Sequence, residues 1–283
     1  MKILVLGASG MAGHVISLFF SEKGYDVSSL SRRPLLFLPN NIIGDVLDFP
    51  FLSKLIEVND YDVIINCVGI LNQDAEENRS RAVLINSYLP HFLVDLLKGK
   101  KGKLIHMSTD CVFAGNTGPY FENSVRDGHS FYDRSKALGE IDYDSKHLTF
   151  RNSIVGPDIN NNGIGLFNWF MKQKGPIKGF SKAIWTGVTT CTLAKAMDHA
   201  ISSDISGLYN LVNNDSISKF ELLKLFNANF RNNDVEILPD NNLILDKSLL
   251  NSRNDFDFQV PSYLKMVQDM KEWVDNHKEL YQY

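Results

Sequence analysis

Tyr132 and Lys136 stand four residues apart in the stretch Tyr132-Asp133-Arg134-Ser135-Lys136, a spacing that puts both side chains on one face of a helix. A free phenol is a poor acid with a pKa of about 10, and an ammonium group beside it favours the ionised form. The pair therefore has the makings of a proton donor at neutral pH. Spacing alone also fits an exposed helix face with a solvated lysine. The elements that would position the pair must decide between the two.

The N-terminus supplies the first of them. Lys2-Ile3-Leu4-Val5-Leu6 is a short β-branched and apolar run, followed by Gly7-Ala8-Ser9-Gly10-Met11-Ala12-Gly13 and then by Val15, Ile16, Leu18 and Phe19 at helical spacing. The order is strand, glycine turn, helix. Such a turn lets the backbone approach a pyrophosphate closely, and the helix start offers free N–H groups to its oxygens. Gly7, Gly10 and Gly13 form GxxGxxG, with Ser9 and Met11 inside the turn.

A second strand is expected over Tyr25–Leu30, running into Ser31-Arg32-Arg33. An acid at its end would bind ribose hydroxyls, whereas a guanidinium matches a phosphate in a two-pronged fashion. No carboxylate stands there. Ser31 and Arg32, with Arg33 as a further candidate, favour NADP(H), and NAD(H) is the alternative.

Further strands are predicted at Asp62–Gly69 and Lys103–Met107, the latter followed by Ser108-Thr109-Asp110, with a helix between them from about Glu76 to Leu97. Strands alternating with helices imply an α/β fold with a doubly wound parallel sheet, whose ligands sit at the carboxyl ends of the strands. Gly69, Thr109 and the glycine turn fall at that edge. Asn160-Asn161-Asn162-Gly163 and Arg231-Asn232-Asn233-Asp234 read as polar loops, and Tyr263–His277 as a closing amphipathic helix.

Composition narrows the class. The chain has 283 residues, 44% of them hydrophobic, enough for a large α/β core with a smaller appended part. A net charge of −4 gives no hint of a nucleic-acid or membrane partner. No apolar run approaches the roughly 18 residues of a membrane span, and the N-terminus does not read as a signal peptide, so a cytoplasmic location is expected. Cys67, Cys111 and Cys191 show neither an even count nor metal-ligand clustering, and no metal site is expected.

Taken in order, these residues resemble the extended short-chain dehydrogenases/reductases, and within them the dTDP-4-dehydrorhamnose reductase-like group. The resemblance rests on the glycines, on Asp45 in Gly44-Asp45-Val46-Leu47-Asp48, on Asn66-Cys67-Val68-Gly69 and on Asn86. It continues through Ser108-Thr109-Asp110-Cys111-Val112-Phe113, Tyr132 to Lys136 with Ala137-Leu138-Gly139-Glu140, Arg151-Asn152-Ser153 and Gly207-Leu208-Tyr209-Asn210-Leu211. It covers nearly the whole chain.

The resemblance implies a Rossmann-type NADP-binding domain over residues 1–155 and a smaller sugar-nucleotide-binding part over 156–283 that partly returns to the first. It implies that Tyr132 protonates the oxygen of a sugar ketone, that Thr109 hydrogen-bonds that oxygen, and that Lys136 holds the cofactor ribose. Asp45 and Val46 would lie against the adenine, Cys67, Val68 and Gly69 along the cofactor, and Asn86 at the inner wall. Asp110, Cys111, Asn152, Trp185 and Arg253 are the substrate-side candidates, with Arg253 facing a diphosphate. A homodimer is also implied.

Position 111 bears on the reaction. Related 4,6-dehydratases carry Thr-Asp-Glu or Thr-Asp-Lys, and rhamnose-type reductases Thr-Asp-Tyr, whereas this chain has Thr109-Asp110-Cys111. A neutral thiol is a poor substitute for a carboxylate base or an ammonium acid. Cys111 reads as a packed residue beside the strand. The expected activity is NADPH-dependent reduction of the 4-keto group of a dTDP- or UDP-linked 6-deoxy sugar for surface-polysaccharide precursors. Asp255 to Tyr263 resembles a branch linked to capsule or O-antigen sugars. The alternatives are a nucleotide-sugar epimerase or dehydratase of the same superfamily, and a non-catalytic NADP-binding regulatory subunit.

Overall fold

In a computed structural model covering residues 1–283, the first apolar run forms strand β1 (Lys2–Leu6) and the residues after the glycine turn form helix α1 (Met11–Glu22). Strands β2 (Asp26–Ser31) and β3 (Asn41–Ile43) follow, then helix α2 (Phe49–Asn59), started by Asp48, whose carboxylate accepts from the Phe51 N–H. Strands β4 (Val63–Asn66), β5 (Lys103–Ser108) and β6 (Leu148–Arg151) continue the alternation. Boundaries shift by one to three residues from the expected strands.

Seven strands make one parallel sheet in the order Gly207–Asn210, β6, β5, β4, β1, β2, β3. The reversal of direction lies between β1 and β4, so the carboxyl ends of these two strands open a crevice. β1, β4 and β5 are buried along almost their whole length, as strands covered by helices on both faces must be.

The segment expected as one helix from Glu76 to Leu97 is instead a chain of pieces: Asn72–Glu77, Arg79–Ala82, a π-helical stretch Val83–Tyr88 and Leu89–Leu96. The wider turn carries Asn86, which sits with no exposed surface and is used in the site below. Pro90 falls directly behind the π-helical stretch in a continuous helical run, and it has no N–H to give to the turn before it. The closing helix is observed at Tyr263–Asn276, capped by the Ser262 hydroxyl.

Residues on both sides of position 155 share the framework. The strand Gly207–Asn210 extends the sheet beyond β6. A core of 36 buried residues runs from Ile3 and Val5 through Val188 and Leu193 to Val267 and Met270. Small strands lie outside the main sheet: Ser153–Val155 pairs with Gly187–Thr189, and Ala183–Trp185 is flanked by Ile217–Ser218 and Leu245–Asp246. No helix is long and apolar enough to cross a membrane.

Candidate functional site

The glycine turn is built for backbone approach. Gly7 has φ +84°, a conformation L side chains resist. A Cβ on Gly13 would stand 2.1 Å from the Gly7 carbonyl oxygen, so only glycine lets α1 sit against the turn. Gly10 caps α1 without a side-chain acceptor, leaving the first amides of the helix, from Met11 onward, free to meet an anion. The Met11 side chain itself lies beside Gly165.

A cleft of about 640 Å³ opens from this turn. Gly7, Ser9 and Gly10 line its floor, Ser31, Arg32 and Arg33 one end, and Asp45 and Val46 the neighbouring wall. Cys67, Val68 and Gly69, at the end of β4, close the other side. The Asp45 carboxylate accepts from the Leu47 N–H at 3.0 Å, which fixes the strand-end loop. Ser31 donates to the Arg33 carbonyl at 2.7 Å and accepts from Asn41 Nδ2 at 2.8 Å. Free helix amides, glycines and two guanidinium groups with no acid at the end of β2 fit a phosphorylated dinucleotide.

Asn86 is placed differently from its expected role. Its Oδ1 accepts from the Ile70 N–H at 2.9 Å, while Nδ2 donates to the Ile70 carbonyl at 2.9 Å and to Ser135 Oγ at 3.0 Å. Both amide protons are spent and the side chain has no exposed surface in the cleft, so Asn86 clamps the loop after β4 to the Tyr132 helix rather than touching a cofactor.

That helix, Phe131–Leu138, starts with a reciprocal cap: Ser130 Oγ accepts from Asp133 N–H and Asp133 Oδ2 from Ser130 N–H. It delivers Tyr132 and Lys136 to the carboxyl end of β5. Tyr132 is 7% exposed, packed with Ile70, Ala75, Ala82 and Ile85 and against Cys111. Burial pushes its phenol well above the ordinary range, Cys111, Asp110 and Asp133 add to this, and the neighbouring Thr109 hydroxyl opposes it. Thr109 is the cap of the short turn Asp110–Val112, its Oγ1 donating to Asp110 Oδ1 at 3.1 Å.

Lys136 is 5% exposed and donates from Nζ to the Met107 carbonyl at 2.7 Å. Burial lowers its pKa to about 8, against the opposing pull of Glu140 and Cys67. The expectation that the ammonium drives the phenol toward phenolate is therefore corrected: burial dominates, and Tyr132 is held as a neutral acid. Cys111 is packed as expected, with burial pushing its thiol up to about 12.

Below the pair lies an ion cluster. Glu140, with no exposed side-chain surface, accepts from Ser108 Oγ at 2.6 Å, from Arg151 Nε and Nη2 at 2.7 Å each, and from Arg126. The Arg151 guanidinium also lies over the Phe113 ring, 4.9 Å from its centre. Asn152 follows in the chain, opposite Thr109 if the β5–β6 register continues one step. It is 2% exposed and its Oδ1 has no hydrogen-bond partner, an acceptor waiting for a donor.

Two substrate-side expectations fail. Trp185 is 5% exposed, belongs to the large core and packs against Tyr263 at 5.8 Å; its ring fills space beside Gly187 rather than facing a ligand. Arg253 donates to the Ser206 and Leu208 carbonyls at 2.7 and 2.8 Å and pairs with Asp255. Those carbonyls flank the start of the Gly207–Asn210 strand, the sheet edge away from the crevice, so Arg253 anchors structure. Lys219 and Lys247 are the cations beside the buried Asp110, whose carboxyl burial raises and these two lysines lower.

Sequence reasoning also missed Asn160, Asp74 and Arg81 among the cleft residues. Asn160 reaches the glycine turn from a loop that by itself reads only as polar, so no local signal marked it.

The fold and the site thus define a nucleotide-binding α/β protein of the short-chain dehydrogenase/reductase kind. The model of the family described as RmlD substrate binding domain matches residues 1–242, and the chain belongs to that family. It is 31% identical over 144 residues to a protein of Haloferax volcanii named probable low-salt glycan biosynthesis reductase, covering 50% of this chain and 48% of that one. It is 27% identical over 225 residues to a dTDP-4-dehydrorhamnose reductase of Burkholderia thailandensis, covering 75% and 72%. The first of these matches spans about half the relative's length. The crystal structure of a dTDP-4-dehydrorhamnose reductase from Bacillus anthracis in complex with NADP shares the fold, with a TM-score of 0.79 at 20% identity over 95% of this chain and 98% of that one.

Proposed function

We propose that the protein is an NADPH-dependent reductase of the 4-keto group of a nucleotide-linked 6-deoxy sugar, serving surface-polysaccharide precursor synthesis in the cytoplasm. The observation that carries this reading is the buried, neutral Tyr132 phenol beside Thr109 at the end of β5, packed against the cleft residues Ile70 and Ile85. When bound, the dinucleotide supplies hydride. Tyr132 then gives its proton to the ketone oxygen and Thr109 holds that oxygen in line. Lys136 supplies positive charge behind the pair. The neutral Cys111 offers neither the acid nor the base an elimination needs, which favours reduction over the dehydratase reading.

The division of labour follows the chain. Residues 1–155 hold the dinucleotide, with Arg32 and Arg33 toward a 2′-phosphate, and residues 156–283 contribute the sugar-nucleotide side. Lys219 and Lys247 would meet its diphosphate and the unpartnered Asn152 Oδ1 would accept from a sugar hydroxyl. The reading extends to a homodimer, for which exposed Val83, Leu84, Tyr88 and Leu138 offer apolar surface.

The test is a panel of dTDP- and UDP-linked 4-keto sugars with NADPH, followed by loss of reduced-cofactor absorbance. Stoichiometric oxidation is expected with at least one substrate. Tyr132→Phe should lower turnover by about 10²-fold or more with NADPH binding nearly intact. Conversion of sugar without net NADPH oxidation would instead establish an epimerase or dehydratase.

A further inference from the structure

The Arg33 end of the cleft is tied down by a residue from the far half of the chain. Asn160, in the loop after the strand Ser153–Val155, donates from Nδ2 to the Ser9 carbonyl at 2.9 Å and to Asp158 Oδ1 at 2.9 Å. Its backbone N–H donates to the same Asp158 oxygen at 2.8 Å. Both amide protons are thereby spent on acceptors, which fixes the carboxamide so that Oδ1 faces outward as an acceptor. Its partner there is Arg33 Nη2.

The chemistry of this contact is specific. A guanidinium carries five N–H donors, and the Asn160 contact engages one nitrogen. A neutral amide orients it without cancelling its charge, unlike the carboxylates that pair with Arg126, Arg151, Arg231 and Arg253 elsewhere in the molecule. Arg33 lines the cleft beside Arg32 and Ser31, at the end of β2 where a 2′-phosphate would be met. An exposed arginine loses rotamer freedom when it binds an anion, and one already tethered loses less.

We propose that Asn160 is a positioning residue for cofactor selectivity: by tying Arg33 to the glycine turn it holds that guanidinium ready for the 2′-phosphate of a phosphorylated dinucleotide. The inference rests on the reading of the cleft as a site for such a cofactor. Selectivity for the phosphate then depends on a residue outside the glycine turn and the β2 end that contact the dinucleotide directly.

Titrations of NADPH and of NADH, followed by cofactor fluorescence, test this on the wild-type protein, Asn160→Ala, Arg33→Ala and the double variant. Asn160→Ala is expected to weaken NADPH about tenfold and NADH less than about twofold, because NADH has no group for Arg33 to meet. In the Arg33→Ala background, loss of Asn160 should leave the NADPH-to-NADH ratio where Arg33→Ala put it. Equal weakening of both cofactors by Asn160→Ala, or none, would overturn the inference while leaving the preference for NADPH standing. Equal affinity of the wild-type protein for the two cofactors would remove that preference itself, and the inference with it.

Discussion

Tyr132 and Lys136 are both nearly sealed from water, yet burial acts on them in opposite directions. It raises the phenol, because the phenolate is the charged form, and lowers the lysine, because the ammonium is. The consequence is a phenol that stays protonated across the physiological range beside a lysine that begins to lose its proton within it. Lys136 is charged below about pH 8 and neutral above it, with the nearby Glu140 and Cys67 already counted in that value. If its ammonium supports reduction, kcat/KM for the keto sugar holds its level on the acid side and falls as pH rises through about 8. Tyr132 contributes no break in that range. A kcat/KM profile measured with reduced cofactor checks this, since it reports the groups of the free enzyme; a profile that is level through pH 9 would remove Lys136 from the role.

At the scale of elements, the Tyr132 helix must be held against the ends of β5 and β6, and the Glu140 cluster does this. One carboxylate gathers Ser108 from β5, Arg151 from β6 and Arg126 from the intervening loop. Removing a single partner of such a buried pair leaves a charge without compensation, which costs about 3–5 kcal/mol, whereas removing both can cost far less. Glu140→Ala and Arg151→Ala are each expected to lower urea unfolding stability by about that amount, with the double variant well short of the sum. Additive losses would mean the two residues act separately. The same elements explain what the sequence reveals and what it hides. β1, the glycine turn and α1 are legible because their signals are local: an apolar run, a left-handed Gly7, a helix period. The segment from Glu76 to Leu97 reads as one helix because its pattern is helical throughout. The π stretch at Val83–Tyr88 carries Asn86, whose partners Ile70 and Ser135 lie outside the segment and leave no trace in its helical period. Arg253 looks free in sequence, but its carbonyl partners lie at Ser206 and Leu208, more than 40 positions away. Asn160 is the extreme case, with Ser9 151 positions distant.

At the scale of the whole molecule, residues 156–283 are either a separate folding unit or part of the framework that residues 1–155 build. The strand Gly207–Asn210 is hydrogen-bonded to β6, and the helix Thr190–Ile201 packs on α1. The core joins Ile3 and Val15 to Met197, Phe226 and Met270 without a boundary at residue 155. Elements that share one core and one sheet lose their stability together. The three tryptophans provide a direct reading of this, because Trp169, Trp185 and Trp273 all lie beyond residue 155 while helices and strands are spread along the whole chain. Urea unfolding followed by tryptophan fluorescence and by far-ultraviolet circular dichroism is expected to give coincident transitions with one midpoint. A fluorescence transition that precedes the dichroism transition would mean that residues 156–283 unfold by themselves. That half would then be a detachable part, and the reach of Asn160 to the glycine turn would be a contact between domains instead of a feature of one.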